Sequence, residues 1–195
     1  MSAGISYAGG AGLRWLCDAI CGQPARRGKC RESVYLDILG RSRRYVHITT
    51  PYLILDDTTL AALKFAAKRG VEVIIIMPHI PDKLYAYLLA RSYYAELLRA
   101  GVQIYEYTPG FIHAKMFTSD DEKAVVGTIN LDFRSLYLHF ECASYFFRNA
   151  VVMDVEEDFQ KTLAKSERIT LENCRKYPFI RRFAGKALRI LAPLM

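Results

Sequence analysis

The chain has 195 residues, 52% of them apolar, enough for one core of ordinary size, so a single domain is the expectation. Its formal charge of +7 is uneven, because no acidic residue follows Glu172 while Arg175, Lys176, Arg181, Arg182, Lys186 and Arg189 do; that suits a polyanionic partner, nucleic acid or an anionic lipid surface. Cys17, Cys21, Cys30, Cys142 and Cys174 are odd in number and lack metal-type C-x-x-C pairing, which argues against a disulfide scaffold or zinc site and for free thiols in a reducing compartment. No stretch stays apolar and uncharged for the roughly 20 residues of a membrane span. The start has neither a basic leader nor a continuous apolar run, so no signal peptide is expected.

Residues 1–30, rich in Gly, Ala, Ser and Cys and weakly periodic, are expected to be a loosely structured lead-in, with one domain over 31–195. RESVYLDILGRSR, from residue 31, reads as a helix stopped near Gly40. YVHITTPY is a strand closed by Pro51, with His47 inside it as a packed, satisfied histidine. DDTTLAALKFAAKRG is a helix capped by Asp56 or Asp57 and ended by Gly70. VEVIIIMP carries β-branched residues on both faces, as a central parallel strand does. KLYAYLLARSYYAELLRAG is a second long helix and VQIYEYTP a third strand, which completes a βαβαβ unit.

HAKMFTS then reads as a strand, followed by an acidic turn at Asp120, Asp121 and Glu122. KAVVGT and HFECASYFF are two more strands, the second with Cys142 as a small core residue. VMDVEEDFQKTLAKS is a helix, and a tail helix lies between Tyr177 and Leu191. The fold class expected is α/β, a mixed, mostly parallel β-sheet with helices on both faces. Sites in such sheets gather at the carboxyl ends of strands, which makes Tyr52, Pro78, His79, Thr108 and Pro109 rim candidates.

The chemistry sits between residues 113 and 141. In a strand, His113 and Lys115 would share one face, and a buried sheet has no use for an imidazole beside an ammonium unless something negative lies between them. A phosphodiester fits. An imidazole whose far nitrogen is held by a carboxylate can attack phosphorus without first deprotonating an alcohol. An ammonium, an amide and a small hydroxyl can hold the non-bridging oxygens; Lys115, Asn130 and Thr128 are those types. Three carboxylates could orient the histidine: Asp120 and Asp121 in the turn, and Glu141 early in an otherwise apolar strand. Glu141 is preferred, because a carboxylate in a buried strand needs a partner.

The spacing H-x-K-x4-D-x6-G-T-x-N, six typed positions, resembles the HKD motif of the phospholipase D superfamily. The flanks TTPYLILDD, AAKRGVEVIIIMPHIPDK, YAELLRAGVQIYEYTPGFIHAKMF, VVGTINLDFRSLYLHFE and RILAPLM are similar to the carboxyl-terminal half of bacterial cardiolipin synthases, over about residues 33–195. The resemblance implies a phospholipase D-like domain with His113 as nucleophile and Lys115, Thr128 and Asn130 on phosphate oxygens. Asp120 completes the motif as a structural partner, Glu141 sits where the family orients its histidine, and Arg134 and Ser135 follow the motif in the family manner. The implied reaction is phosphatidyl transfer between two phosphatidylglycerol molecules, giving cardiolipin and glycerol through a phosphohistidine, without a metal or other cofactor.

Such synthases carry two motifs whose histidines share a site, and no second H-x-K occurs in residues 1–112. The implied partner is a second copy in a homodimer or another half carrying the motif. The alternatives are an inactive truncated half with a lipid-binding or assembly role, and a dimeric one-motif phosphodiesterase or nuclease. The tail YPFIRRFAGKALRILAPLM puts Phe179, Phe183, Ala187, Ile190, Leu191 and Leu194 on one face, with Arg182, Lys186 and Arg189 down its flank. That is a basic amphipathic helix of interfacial type. With the tyrosines of residues 85–94 near the rim, it favours an anionic membrane surface over nucleic acid, for which a positive groove with aromatics would be expected. The location implied is peripheral, on a bacterial cytoplasmic membrane.

Overall fold

The computed structural model describes residues 18–19, 24–138 and 140–191. In chain order these form β1 (Asp18–Ala19), α1 (Pro24–Arg41), β2 (Tyr45–Thr49), β3 (Leu53–Ile54), α2 (Asp57–Lys68), β4 (Glu72–Pro78), α3 (Leu84–Ala100) and β5 (Gln103–Tyr107). Next come β6 (Met116–Ser119), β7 (Lys123–Gly127), β8 (Leu131–Asp132), a π-helical turn at Arg134–Leu138, β9 (Ala143–Phe147), α4 (Ala150–Leu163), β10 (Ser166–Ile169), α5 (Leu171–Lys176) and α6 (Phe179–Leu191). Most of the expected lead-in lies outside the described residues, but Asp18–Ala19 pair with β9 and α1 starts at Pro24 instead of residue 31.

Eight strands form one mixed sheet in the order β1-β9-β7-β6-β2-β4-β5-β10. Its parallel part is the central trio β2, β4 and β5, joined through α2 and α3 as the βαβαβ reading expects. The other five pairings are antiparallel: β6 and β7 are joined by a tight turn, while α4 carries the chain from β9 across the sheet to β10 at the far edge. The expected caps are in place: Asp56 accepts from Thr59 N at 2.8 Å, and Gly101, with φ +101°, ends α3 in the left-handed region that glycine tolerates.

Period-two alternation divides the sheet between two cores. Val73, Ile75 and Met77 of β4 face the larger one, under α1, α2 and α3, while Ile74 and Ile76 face Phe159 of α4 on the other side. Helices therefore cover both faces. His47 packs on this second side, Nδ1 at 2.8 Å from Glu156 Oε1 and its ring stacked on Phe159 at 4.6 Å, so it is the satisfied histidine expected.

Two strands begin later than their sequence suggests. His113 and Lys115 precede β6, which starts at Met116. Thr49 pairs with Met116, so one more pair would reach Thr50, whose N–H already donates to Ile76 O, and the next would reach Pro51, which has no N–H. Likewise β9 starts at Ala143. Ala143 faces the core, so by alternation Cys142 points away and is exposed, not the core residue expected.

Candidate active site

Strand register alone brings the chemistry to one edge. β6 runs antiparallel to β2, so the residues just before Met116 lie beside the carboxyl ends of β2 and β4. β7 runs antiparallel to β6 and ends at Gly127, whose N–H donates to Lys115 O at 3.2 Å; Thr128 and Asn130 follow at the same edge. β9 pairs Ala143 with Gly127, which brings Glu141 there too. Gly127 has to be glycine at this crossing, because a Cβ would stand 2.3 Å from Cys142 O. A short parallel ribbon, β3 with β8, sets Tyr52 and Asn130 at its start.

His113 is exposed and Lys115 is buried beside it. Lys115 Nζ donates to the His113 carbonyl at 2.6 Å and stands 2.9 Å from Nδ1 and 3.0 Å from Nε2. Desolvation, and then the Lys115 charge, hold the His113 imidazolium below the ordinary value of 6.5, while Asp82 pulls the other way. Desolvation also lowers Lys115, opposed by the charges of Glu141, Asp132 and Asp82. Desolvation first, and the lysine charge second, thus favour the neutral imidazole, while the charges of Glu141, Asp132 and Asp82 favour the ammonium.

Asn130 is buried and donates Nδ2 to Ser135 Oγ at 3.0 Å, while its Oδ1 has no hydrogen-bond partner among the described residues. Ser135 is fixed from both sides: its N–H donates to Asp132 Oδ1 at 2.6 Å, and its carbonyl accepts from Arg31 Nη1 at 2.7 Å. Arg31, only 1% exposed, reaches it from α1. The Thr128 hydroxyl donates to Glu141 Oε2, and Thr128 Oγ1 accepts from Cys142 N at 3.1 Å. A cavity of about 160 Å³ opens here, lined among others by Tyr52, Lys83, Asn130, Arg134 and Glu141.

The remaining candidates divide. Tyr52 and Arg134 line the cavity, and the Tyr52 hydroxyl donates to Asp82 with Lys83 5.6 Å from its ring centre. His79 is exposed at the end of β4, but Nδ1 is 3.0 Å from the buried Glu106, which also accepts from Arg91 at 2.9 Å, so it is tied to a structural ion cluster. Thr108 donates to Lys165 O and serves its loop, Pro78 ends β4, and Pro109 is an exposed residue beyond β5.

Asp120, with the other motif residues in sequence, is not with them in space. Its carboxylate accepts from the N–H groups of Arg43 (2.7 Å), Arg44 (2.9 Å) and Tyr45 (3.0 Å), at the far end of β6. Five residues of extended chain put it about 16 Å from Lys115.

Sequence reasoning passed over Asp82, Lys83, Asp132 and Arg31. Asp82 and Lys83 had a signal, for they lie in the loop after a central parallel strand, and Asp132 shares Asn130's face by period two. Arg31 had none, because an arginine in the first turns of a helix reads as solvated.

A family model described as "Cardiolipin synthase, PLD-like domain" matches residues 35–163. An uncharacterised protein of Streptococcus mutans is 52% identical over 172 residues, 88% of this chain and 37% of that protein. A cardiolipin synthase of Alkalihalophilus pseudofirmus is 36% identical over 176 residues, 90% of this chain and 35% of that protein. The latter match exceeds what residues 31–195 can supply, so the likeness begins earlier than the sequence reading placed it. The chain spans about a third of the length of these curated relatives. The crystal structure of phosphatidylserine synthase from Haemophilus influenzae shares the fold, with TM-score 0.69 at 15% identity, over 91% of this chain and 47% of that one.

Proposed function

We propose, from the premise that this chain belongs to the cardiolipin synthase, PLD-like domain family, that it carries the nucleophilic half of a phosphatidyltransferase site. The observation that carries the reading is the His113 imidazole standing 2.9 Å from the buried Lys115 ammonium, with Thr128, Asn130 and Glu141 delivered to the same sheet edge by register.

An imidazole nitrogen of His113 attacks the phosphorus of phosphatidylglycerol. The bond from phosphorus to the glycerol oxygen breaks, glycerol leaves with a proton, and a phosphatidylhistidine remains. The primary hydroxyl of a second phosphatidylglycerol then gives up its proton, attacks phosphorus and releases His113 and cardiolipin. Lys115 neutralises charge on the non-bridging oxygens as it grows. Turning the Asn130 amide over, so that Ser135 donates to Oδ1, aims Nδ2 at another of them. In this reading Glu141 turns from the Thr128 hydroxyl, from which it accepts in the structure, to the imidazole as the ring becomes charged, and Thr128 is then a further donor. The proton donor to glycerol is a second histidine, from a second copy of this chain or from another half carrying the motif.

The substrate places the chain at the anionic surface of a bacterial cytoplasmic membrane. No helix among the described residues is long and apolar enough to cross one, and the reading is a peripheral association.

The test tolerates a missing second half, because loss of the general acid slows adduct formation by roughly 10²–10⁴-fold without abolishing it, and long incubation with excess lipid still reads the nucleophile. The chain is mixed with phosphatidylglycerol vesicles, quenched in alkali to protect the phosphorus–nitrogen bond, digested and weighed. A phosphatidyl adduct on the peptide holding His113, absent in His113→Ala, supports the reading. A folded chain that forms no adduct rejects it in favour of a lipid-binding or assembly role, and cleavage of an oligonucleotide instead would make it a phosphodiesterase.

A further inference from the structure

A second cavity, about 360 Å³, lies where α3, α5 and α6 meet, and shares no lining residue with the candidate active site. Helix α6 is brought close to α3 by Gly185, where a Cβ would stand 2.4 Å from Leu88 O. Arg189 fastens it, 3.2 Å from Glu96 Oε2 and 4.1 Å above the Tyr93 ring. Glu96 is the one acidic residue of the lining, and it already accepts from Lys64 at 2.6 Å.

Five other cations of the lining, Arg99, Arg175, Arg181, Arg182 and Lys186, make no ion pair or side-chain hydrogen bond among the described residues. Tyr177, under the Arg91 guanidinium at 4.3 Å, also lines the cavity, and its buried hydroxyl has no partner there. Uncompensated cations around a concavity that holds an orphaned donor are the complement of a phosphate. The face of α6 that Arg182 and Lys186 flank is the complement of something else: Phe179 is 77% exposed, Ile180 81%, Phe183 66% and Ile190 81%. Four large apolar side chains on solvent beside a basic cavity of headgroup size do not suit a nucleic-acid backbone. They suit a lipid, with its phosphate in the cavity and its chains against the helix.

We infer that the cavity between α3, α5 and α6 is a non-catalytic binding site for the phosphate headgroup of an anionic phospholipid in a membrane, with α6 laid in the interface beside it. It rests on the membrane-surface part of the function proposed above and not on the phosphatidyl-transfer chemistry.

Sedimentation of the full chain with phosphatidylcholine vesicles, with and without phosphatidylglycerol, tests it. Binding should require phosphatidylglycerol. The triple variant Arg99→Gln, Arg182→Gln, Lys186→Gln should weaken it ~100-fold. The matched loss of charge at the amino end of β2, in Arg41→Gln, Arg43→Gln, Arg148→Gln, should stay within about threefold of the parent. Tyr177→Phe, which changes no charge and little packing, should weaken binding ~3- to 10-fold.

Equal losses from the two triples, equal binding to both vesicles, an unaffected Tyr177→Phe, or displacement by an oligonucleotide at matched phosphate would each overturn the site. His113→Ala should bind as the parent does. Adduct formation without lipid-selective binding therefore defeats this inference alone, and selective binding without an adduct defeats the transfer reading alone.

Discussion

The two ends of β6 are four residues of strand apart and built on opposite plans. At the Asp120 end one carboxylate collects three backbone N–H groups and ties the turn after β6 to the start of β2. At the His113 end an ammonium is buried against an imidazole and a carbonyl, and a buried amide oxygen is unmatched among the described residues. Both ends carry charge and border a cavity, but the polar groups of one are matched and those of the other are under-bonded. Residues that stand together as one sequence pattern thus divide into a part that holds the sheet and a part that the proposed function assigns to a substrate, and only geometry separates them.

Substitutions at the two ends should have opposite signatures. His113→Ala should abolish the adduct, with the unfolding free energy moved by no more than about 0.5 kcal/mol. Equal loss of stability would merge the two plans. Asn130→Ala removes one oxyanion donor and should slow adduct formation by roughly 10²–10³-fold in single-turnover kinetics. Asp120→Ala strands three N–H groups and should cost about 2 kcal/mol in urea unfolding. Activity per folded molecule should be unchanged, and a specific activity loss above tenfold would assign Asp120 to the chemistry after all.

The finest distinction is in pH. His113 is held below its ordinary 6.5, so it stays neutral under more acidic conditions than a free histidine. The adduct rate should fall only as pH drops through that lowered value. Lys115→Ala, besides slowing the reaction, should move the acid limb up towards 6.5 without reaching it, because desolvation, the larger cause, remains. An acid limb at or above 6.5 in the parent would deny the lysine its electrostatic role.

How much of this could be read from the chain varies with the range of the interaction. Gly70, Gly101 and Asp56 announce helix ends because capping is local, and the apolar runs of β2, β4 and β5 announce a parallel centre because burial on both faces leaves a continuous signal. That His113, Lys115, Thr128, Asn130 and Glu141 belong together was legible by type and spacing, and strand register brings them to one sheet edge. Asp120 was legible by type alone. That it faces Arg43, Arg44 and Tyr45 follows from a pairing across some seventy positions, which no short window contains. The late start of β6 was hidden for the same reason, since it is set by Thr50 and Pro51 on the neighbouring strand. Arg31 was hidden most completely: its partner is a carbonyl in an irregular turn 104 residues away.

The position of β6 also orders events in the making of the protein. By the time residue 107 has been synthesised, β2, β4 and β5 can already stand side by side with α2 and α3. The outer side of β2 then has no neighbour, and Val46, Ile48 and their backbone groups form a bare strand edge of the kind that recruits other chains. The next strand to arrive at that edge is β6, and its pairing with Tyr45–Thr49 is the step that sets His113 and Lys115 in place. Among the described residues, one long-range closure thus both covers the edge of β2 and sets His113 beside the carboxyl ends of the central strands.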